Sequence, residues 1–82
     1  MQNHVEDKVI VITGAASGFG KLLSKKLTAL GASVVAGDIN KDALDEVVDD
    51  LKTQNAKISG MNVDVTNRKD MQGLVNHALD AF

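Results

Sequence analysis

The sequence predicts a three-layer α/β fold: a parallel sheet with strand order 3-2-1 and helices packed on its faces. Three observations carry this. An unbroken apolar, β-branched run, Val9-Ile10-Val11-Ile12, leads into a glycine-rich turn, Thr13-Gly14-Ala15-Ala16-Ser17-Gly18-Phe19-Gly20. Three strand-like runs alternate with three segments of helical periodicity, giving the order β-α-β-α-β-α. The segments between strands are long enough to be crossovers, which make neighbouring strands parallel and turn right-handed. Crossovers that all proceed in one direction give half of a doubly wound fold.

Residues 1–7 read as a polar lead-in, and residues 8–13 as the first strand, whose continuous apolar character suits a strand covered on both faces. Residues 18–30 are helical, with Leu23, Leu27 and Leu30 on one face and Phe19 a turn earlier. Lys21, Lys25 and Lys26 fall on the solvated side, and Gly31 suits the left-handed position that ends a helix. Residues 33–38 form a second short strand that ends in Asp38.

Asn40 caps a second helix that runs to about Thr53, with Asp42 in the first turn, where an acid suits the dipole. Its buried stripe is Leu44, Val47, Val48 and Leu51, and Asp45, Glu46, Asp49 and Asp50 make up a solvated face. Residues 57–63 are a weaker third strand, interrupted by Ser59, Gly60 and Asn62. Thr66 or Asn67 caps the last helix, whose apolar positions are Met71, Leu74, Val75, Ala78, Leu79 and Phe82. Gly73 weakens that helix by about 1 kcal/mol relative to alanine.

Composition narrows the function. Eighty-two residues suggest one domain, and the absence of cysteine rules out disulfides and thiolate metal sites and suits a cytoplasmic protein. A net charge of −2 with mixed signs argues against a nucleic-acid surface, as does an aromatic content of two Phe with no Tyr or Trp. No apolar run approaches the length of a membrane span, and the N-terminus is no signal peptide. His4 and His77 are isolated, so no metal-ligand constellation is expected.

A buried strand, a glycine turn and a helix N-terminus together make a phosphate site, because the turn frees backbone N–H groups beside the positive end of the helix dipole. Gly14 allows the tight exit from the strand, Gly18 a close backbone approach to a pyrophosphate, and Gly20 close helix packing on the sheet. A Walker loop is excluded. Five residues separate Gly14 from Gly20-Lys21, and Leu22 stands where that loop needs a hydroxyl. Nor does the G-x-G-x-x-G pattern fit.

The pattern T-G-x-x-x-G-x-G after a strand resembles the cofactor loop of the short-chain dehydrogenase/reductase family. The likeness extends over nearly the whole chain, including the Gly31-Ala32 helix end, Asp38 and Asp64-Val65. It implies a Rossmann-like, NAD(P)-binding unit over residues 1–82, with cofactor contacts from Gly14, Ser17, Gly18, Phe19, Gly20, Asp38, Ile39, Asp64 and Val65. Asp38, 18 residues beyond Gly20, stands where an acid accepts hydrogen bonds from the ribose hydroxyls; the bland alternative is an acid capping the next turn. By resemblance, Asp64 approaches the adenine amino group, Val65 borders the ring and Ile39 walls it. Ser17 and Ile39 are not basic, so a 2′-phosphate lacks an evident partner. A second negative charge at ~4 Å from Asp38 costs up to about 4 kcal/mol at an effective dielectric near 20. NAD is therefore favoured over NADP.

The same resemblance places an Asn-Asn-Ala-Gly stretch just past Phe82, and the catalytic serine and Tyr-x-x-x-Lys pair later still. This sequence contains no tyrosine, so none of its residues can take the catalytic acid–base role. Two readings follow. One is the truncated N-terminal cofactor segment of an NAD-dependent oxidoreductase that transfers hydride between alcohols and ketones, catalytically incomplete by itself. The other is a stand-alone, non-catalytic nucleotide-binding or oligomerising module. In either case the free edge of the first strand, the stripe of the last helix, or both are expected to make a homo-oligomer.

Overall fold

The computed structural model describes residues 5–82. Of the polar lead-in, residues 1–4 and with them His4 lie outside the described residues. The elements are β1 (Val9–Thr13), α1 (Gly18–Ala29), β2 (Ser33–Asp38), α2 (Lys41–Lys52), β3 (Ile58–Asn62) and α3 (Arg68–Ala81). The three strands form one parallel sheet with β2 in the centre, the 3-2-1 order expected, read from the other edge. The register sets Ile12 beside Ala36, Thr13 beside Gly37 and Asp38 beside Asn62, so all three strands end together on one side of the sheet.

The period of two along a strand sorts the side chains onto two faces. Ile12, Val34, Ala36 and Ile58 pack with Leu44, Val47, Val48 and Leu51 of α2, and Leu23 and Leu27 of α1 rest against this cluster. Val35 and Val63 pack with Leu74 and Ala78 of α3 on the other face. The layers are thus α1 and α2, the sheet, and α3, as right-handed crossovers require. α3 folds back within its own chain.

All four residues of the expected α2 stripe are buried. α1 differs from expectation. Its buried positions are Gly20 and Ser24, while Phe19 is 76% and Leu30 50% exposed. The helix lies close to its surroundings through small residues, and the Ser24 hydroxyl is satisfied by donating to the Gly20 carbonyl at 2.9 Å. Phe19 and Leu30 are thereby turned outward. Gly31 does end α1 in the left-handed region, with φ +92°.

Each residue that weakened β3 as a strand meets a structural need. A Cβ at Gly60 would come within 2.8 Å of Val48 Cγ2, so glycine lets α2 approach the sheet. Ser59 Oγ lies 2.7 Å from His77 Nε2, tying β3 to α3. His77 is therefore a half-buried hydrogen-bonding partner, where its isolation in the sequence gave it no role. Asn67 caps α3, accepting from the N–H groups of Lys69 and Asp70. Only part of the α3 stripe is covered: Leu74 and Ala78 are buried, but Val75, Leu79 and Phe82 are exposed. They face Val9 and Val11 of β1, also exposed, across an open groove of about 410 Å³. No helix among the described residues is long and apolar enough to cross a membrane.

Candidate dinucleotide site

The site lies where the C-terminal ends of the parallel strands meet the turn after β1. Gly14 has φ +68°, the left-handed conformation a side chain would strain, and its carbonyl anchors the rest of the turn. The Ser17 N–H donates to that carbonyl at 3.1 Å and the Ser17 hydroxyl donates to it at 2.7 Å. Ser17 Oγ also accepts from the Gly20 N–H at 3.1 Å, which makes Ser17 the N-cap of α1.

The glycines divide the work. A Cβ on Gly20 would overlap the Gly14 carbonyl and come within 2.7 Å of Ala15 Cα. Its nearest neighbours are thus backbone atoms of the turn that follows β1. A Cβ on Gly18 would meet nothing within 4 Å. The space in front of Gly18 at the first turn of α1 is open, as an approaching phosphate requires. Phe19, 76% exposed, borders this mouth of the helix.

Asp38 ends β2 and bridges outward to the turn. One carboxylate oxygen accepts from the Ala16 N–H at 2.9 Å and the other from the Asn40 N–H at 2.9 Å. The turn-capping role and the site role are thus compatible, since a carboxylate accepts about four hydrogen bonds and two are made here. Lys41, the cation nearest to Asp38 in sequence, lies on an exposed helix turn with its ammonium 2.8 Å from Asp45. That contact raises the Lys41 pKa, chiefly through the hydrogen bond to Asp45.

Asp64 follows β3. Its Oδ1 accepts from the Thr66 hydroxyl at 2.6 Å and the Thr66 N–H at 2.9 Å, and these bonds hold its pKa below the ordinary carboxylate value. Its own N–H donates to Asp70 in the first turn of α3 at 2.9 Å. Asp38, Ile39, Asp64 and Val65 line a single cleft of about 290 Å³, together with Gly14, Val63 and Thr66. Ile39 and Val65 are 69% and 56% exposed, so two apolar side chains flank a cleft with a carboxylate on each strand end. Ser17, Gly18, Phe19 and Gly20 are not among its lining residues; they stand at the start of α1, tied to it through the Ser17 bonds to the Gly14 carbonyl. The cleft meets a nucleoside's needs: apolar walls for a base, and acceptors for amino and hydroxyl groups.

One residue escaped the sequence reading. The Asn62 side chain donates to the carbonyls of Asp38 and Ile39, at 2.8 and 2.9 Å. The signal available was a β-disfavoured Asn placed opposite Asp38 at the strand ends. Among the described residues no group of three or more His, Cys, Asp or Glu is arranged to hold a metal ion.

Residues 8–82 match the short chain dehydrogenase family. A 3beta-hydroxysteroid dehydrogenase 2 from Eggerthella lenta is 40% identical over 72 residues, covering 88% of this chain and 28% of that protein. A cyclohexanol dehydrogenase from an Acinetobacter species is 37% identical, covering 100% of this chain and 33% of that protein. A short chain dehydrogenase/reductase from Burkholderia phymatum, solved in complex with NAD, superposes with a TM-score of 0.94 at 40% identity. That comparison covers 100% of this chain and 29% of the solved one. The chain thus spans about a third or less of the length of these relatives. A match over almost all of the sequence, joined to the same fold at substantial identity, assigns the family: the chain belongs to the short-chain dehydrogenases.

Proposed function

We propose that residues 1–82 are an NAD(P)-binding unit that holds the adenosine and pyrophosphate part of NAD for an alcohol–ketone oxidoreductase. The observation that carries this reading is the convergence of Asp38, Ile39, Asp64 and Val65 on one cleft beside the glycine turn. Asp38 accepts the ribose hydroxyls with the lone pairs that Ala16 and Asn40 leave free. Ile39 and Val65 sandwich the adenine, and Asp64 accepts from its amino group. The pyrophosphate lies over Gly18 at the N-terminus of α1, with Phe19 and Ser17 at its margin. When bound, the cofactor accepts or gives up a hydride at its nicotinamide. These residues bind and orient it, and none of them is the catalytic acid–base, since the sequence has no tyrosine.

NAD is preferred to NADP because Asp38 repels a 2′-phosphate and the nearest cation in sequence, Lys41, is engaged by Asp45. The NAD complex of the Burkholderia phymatum relative supports the same choice. Calorimetric titration of the 82-residue chain tests it: NAD binds more tightly than NADP, and Asp38→Ala narrows the gap. Equal or tighter NADP binding by the unaltered chain sinks the assignment.

A second reading, a non-catalytic module that assembles with its own kind, is favoured by the apolar groove between β1 and α3. Val9 and Val11 of β1 line it, and among the described residues β1 has no strand on its other edge, giving a second copy both hydrogen-bonding groups and apolar surface to cover.

A further inference from the structure

We propose that Asn62 is a positioning residue for the cofactor: its amide aims the Asp38 carboxylate at the ribose by fixing the backbone on both sides of Ile39. The proposal rests on the cofactor reading above and adds the residue that sets its geometry.

The argument begins at the end of the sheet. Asp38 and Asn62 are partners in the parallel register, and the Val63 N–H donates to the Asp38 carbonyl at 3.0 Å. Beyond that rung the two strands part, because the Asn40 N–H turns back to the Asp38 carboxylate at 2.9 Å. Asn62 spans the break. Its Nδ2 donates to the Asp38 carbonyl at 2.8 Å and to the Ile39 carbonyl at 2.9 Å. These two carbonyls flank the Ile39 Cα, so one planar NH₂ group sets the direction in which the chain leaves β2. The assignment of nitrogen is forced, since both partners are acceptors and the amide oxygen could bond to neither.

The chemistry also restricts the residue type. A serine here would have one donor for two carbonyls, and an aspartate would set a negative oxygen against both. Asparagine is poorly suited to a strand, yet it occupies the last position of β3. Asp38 is then held by four hydrogen bonds: its carboxylate by Ala16 and Asn40, its carbonyl by Val63 and Asn62. With the backbone fixed, the ribose hydroxyls meet an acceptor that is already oriented, which lowers the ordering cost of binding.

The test is titration of the 82-residue chain and its Asn62→Ala and Asn62→Asp variants with NAD, AMP and 2′,3′-dideoxy-AMP. Thermal melts establish that the exposed substitutions leave each chain folded. Loss of two neutral hydrogen bonds to the Asp38–Ile39 backbone should weaken NAD and AMP about five- to tenfold. The dideoxy compound, which lacks the hydroxyls, should lose much less, and Asn62→Ala should add little in an Asp38→Ala background. Wild-type affinity in both Asn62 variants, alongside a clear loss in Asp38→Ala, overturns the positioning role and leaves the cofactor reading standing. An equal loss for AMP and dideoxy-AMP overturns it also, since that pattern belongs to general packing. Failure of the unaltered chain to bind NAD or AMP removes the cofactor reading and this inference with it.

Discussion

The Ala16 N–H, in the turn after β1, donates to the carboxylate of Asp38 at the end of β2 across 2.9 Å. The acid proposed to select the cofactor therefore also shapes the turn proposed to hold its phosphates. A hydrogen bond to a charged acceptor contributes about 1.5–3 kcal/mol, and this one is half-buried. Asp38→Ala should therefore lower stability by roughly that amount in denaturant titration, apart from its effect on NAD. Amide exchange reads the link directly: Ala16 should exchange faster in the variant. An Ala16 amide equally protected in both chains would show that the bridge does not persist in solution.

The two glycines of α1's first turn separate folding from binding. Gly20→Ala drives a Cβ into the Gly14 carbonyl, a backbone group that cannot swing aside, and should destabilise the chain by about 1–3 kcal/mol or more. Gly18→Ala meets open space and replaces a helical glycine with the best helix former, so stability should hold or rise by up to about 1 kcal/mol. Its methyl group occupies the place proposed for the pyrophosphate. The expected result is a stable Gly18→Ala chain that no longer takes up NAD. A Gly18→Ala chain with unimpaired NAD affinity removes Gly18 from the phosphate contact.

Asp64 gives a pH-dependent signature. The Thr66 hydroxyl, and secondly the Thr66 N–H, hold its native pKa below the ordinary value of 3.8. A lowered native pKa means that the stabilisation is present in full above about 3.8 and is lost as pH falls through the lower native value. Thr66→Val removes the hydroxyl and keeps the shape, so the Asp64 pKa should rise toward 3.8. Carbon-detected carboxylate NMR titration checks it, and an unchanged midpoint would mean that the 2.6 Å contact does not form in solution.

Much of this architecture was legible because the dominant signals were local. The β-branched run of β1, the α2 stripe and the cap at Asn40 each depend on neighbours in sequence, and each reappears in place, while the cap of α3 falls on Asn67, one of the two candidates Thr66 and Asn67. Asp38 and Asp64 were found by position at strand ends, and the shared cleft follows once the strands are parallel and in register. What escaped depends on partners far along the chain. Ser59 reads as a strand breaker and His77 as a stray polar group until the fold sets them 2.7 Å apart. Asn62 looks like another interruption until the fold brings Asp38 and Ile39 beside it. Phe19 and Leu30 fit a helical stripe by spacing, but close approach through Gly20 and Ser24 rotates α1 and leaves them outside.

The final helix provides the last prediction, because its stripe is only half used. Leu74 is fully buried against Val35 and Val63, whereas Leu79 is 76% exposed and Val75 and Phe82 are 47% and 48% exposed. Val9 and Val11 stand opposite at 43% and 40%, and among the described residues β1 pairs only with β2, leaving its other edge open. Apolar surface beside an unpaired strand edge favours association, and the proposed occupant is a second copy of this chain. Sedimentation across a range of concentrations should show a concentration-dependent dimer or larger species. Leu79→Glu should shift that equilibrium toward monomer with little effect on monomer folding, since the side chain is already in water. Leu74→Ala should instead cost about 2–5 kcal/mol of stability through the lost burial and the cavity it leaves. A monodisperse monomer at every concentration, with slow amide exchange along β1, would show that the groove needs no second copy to cover it.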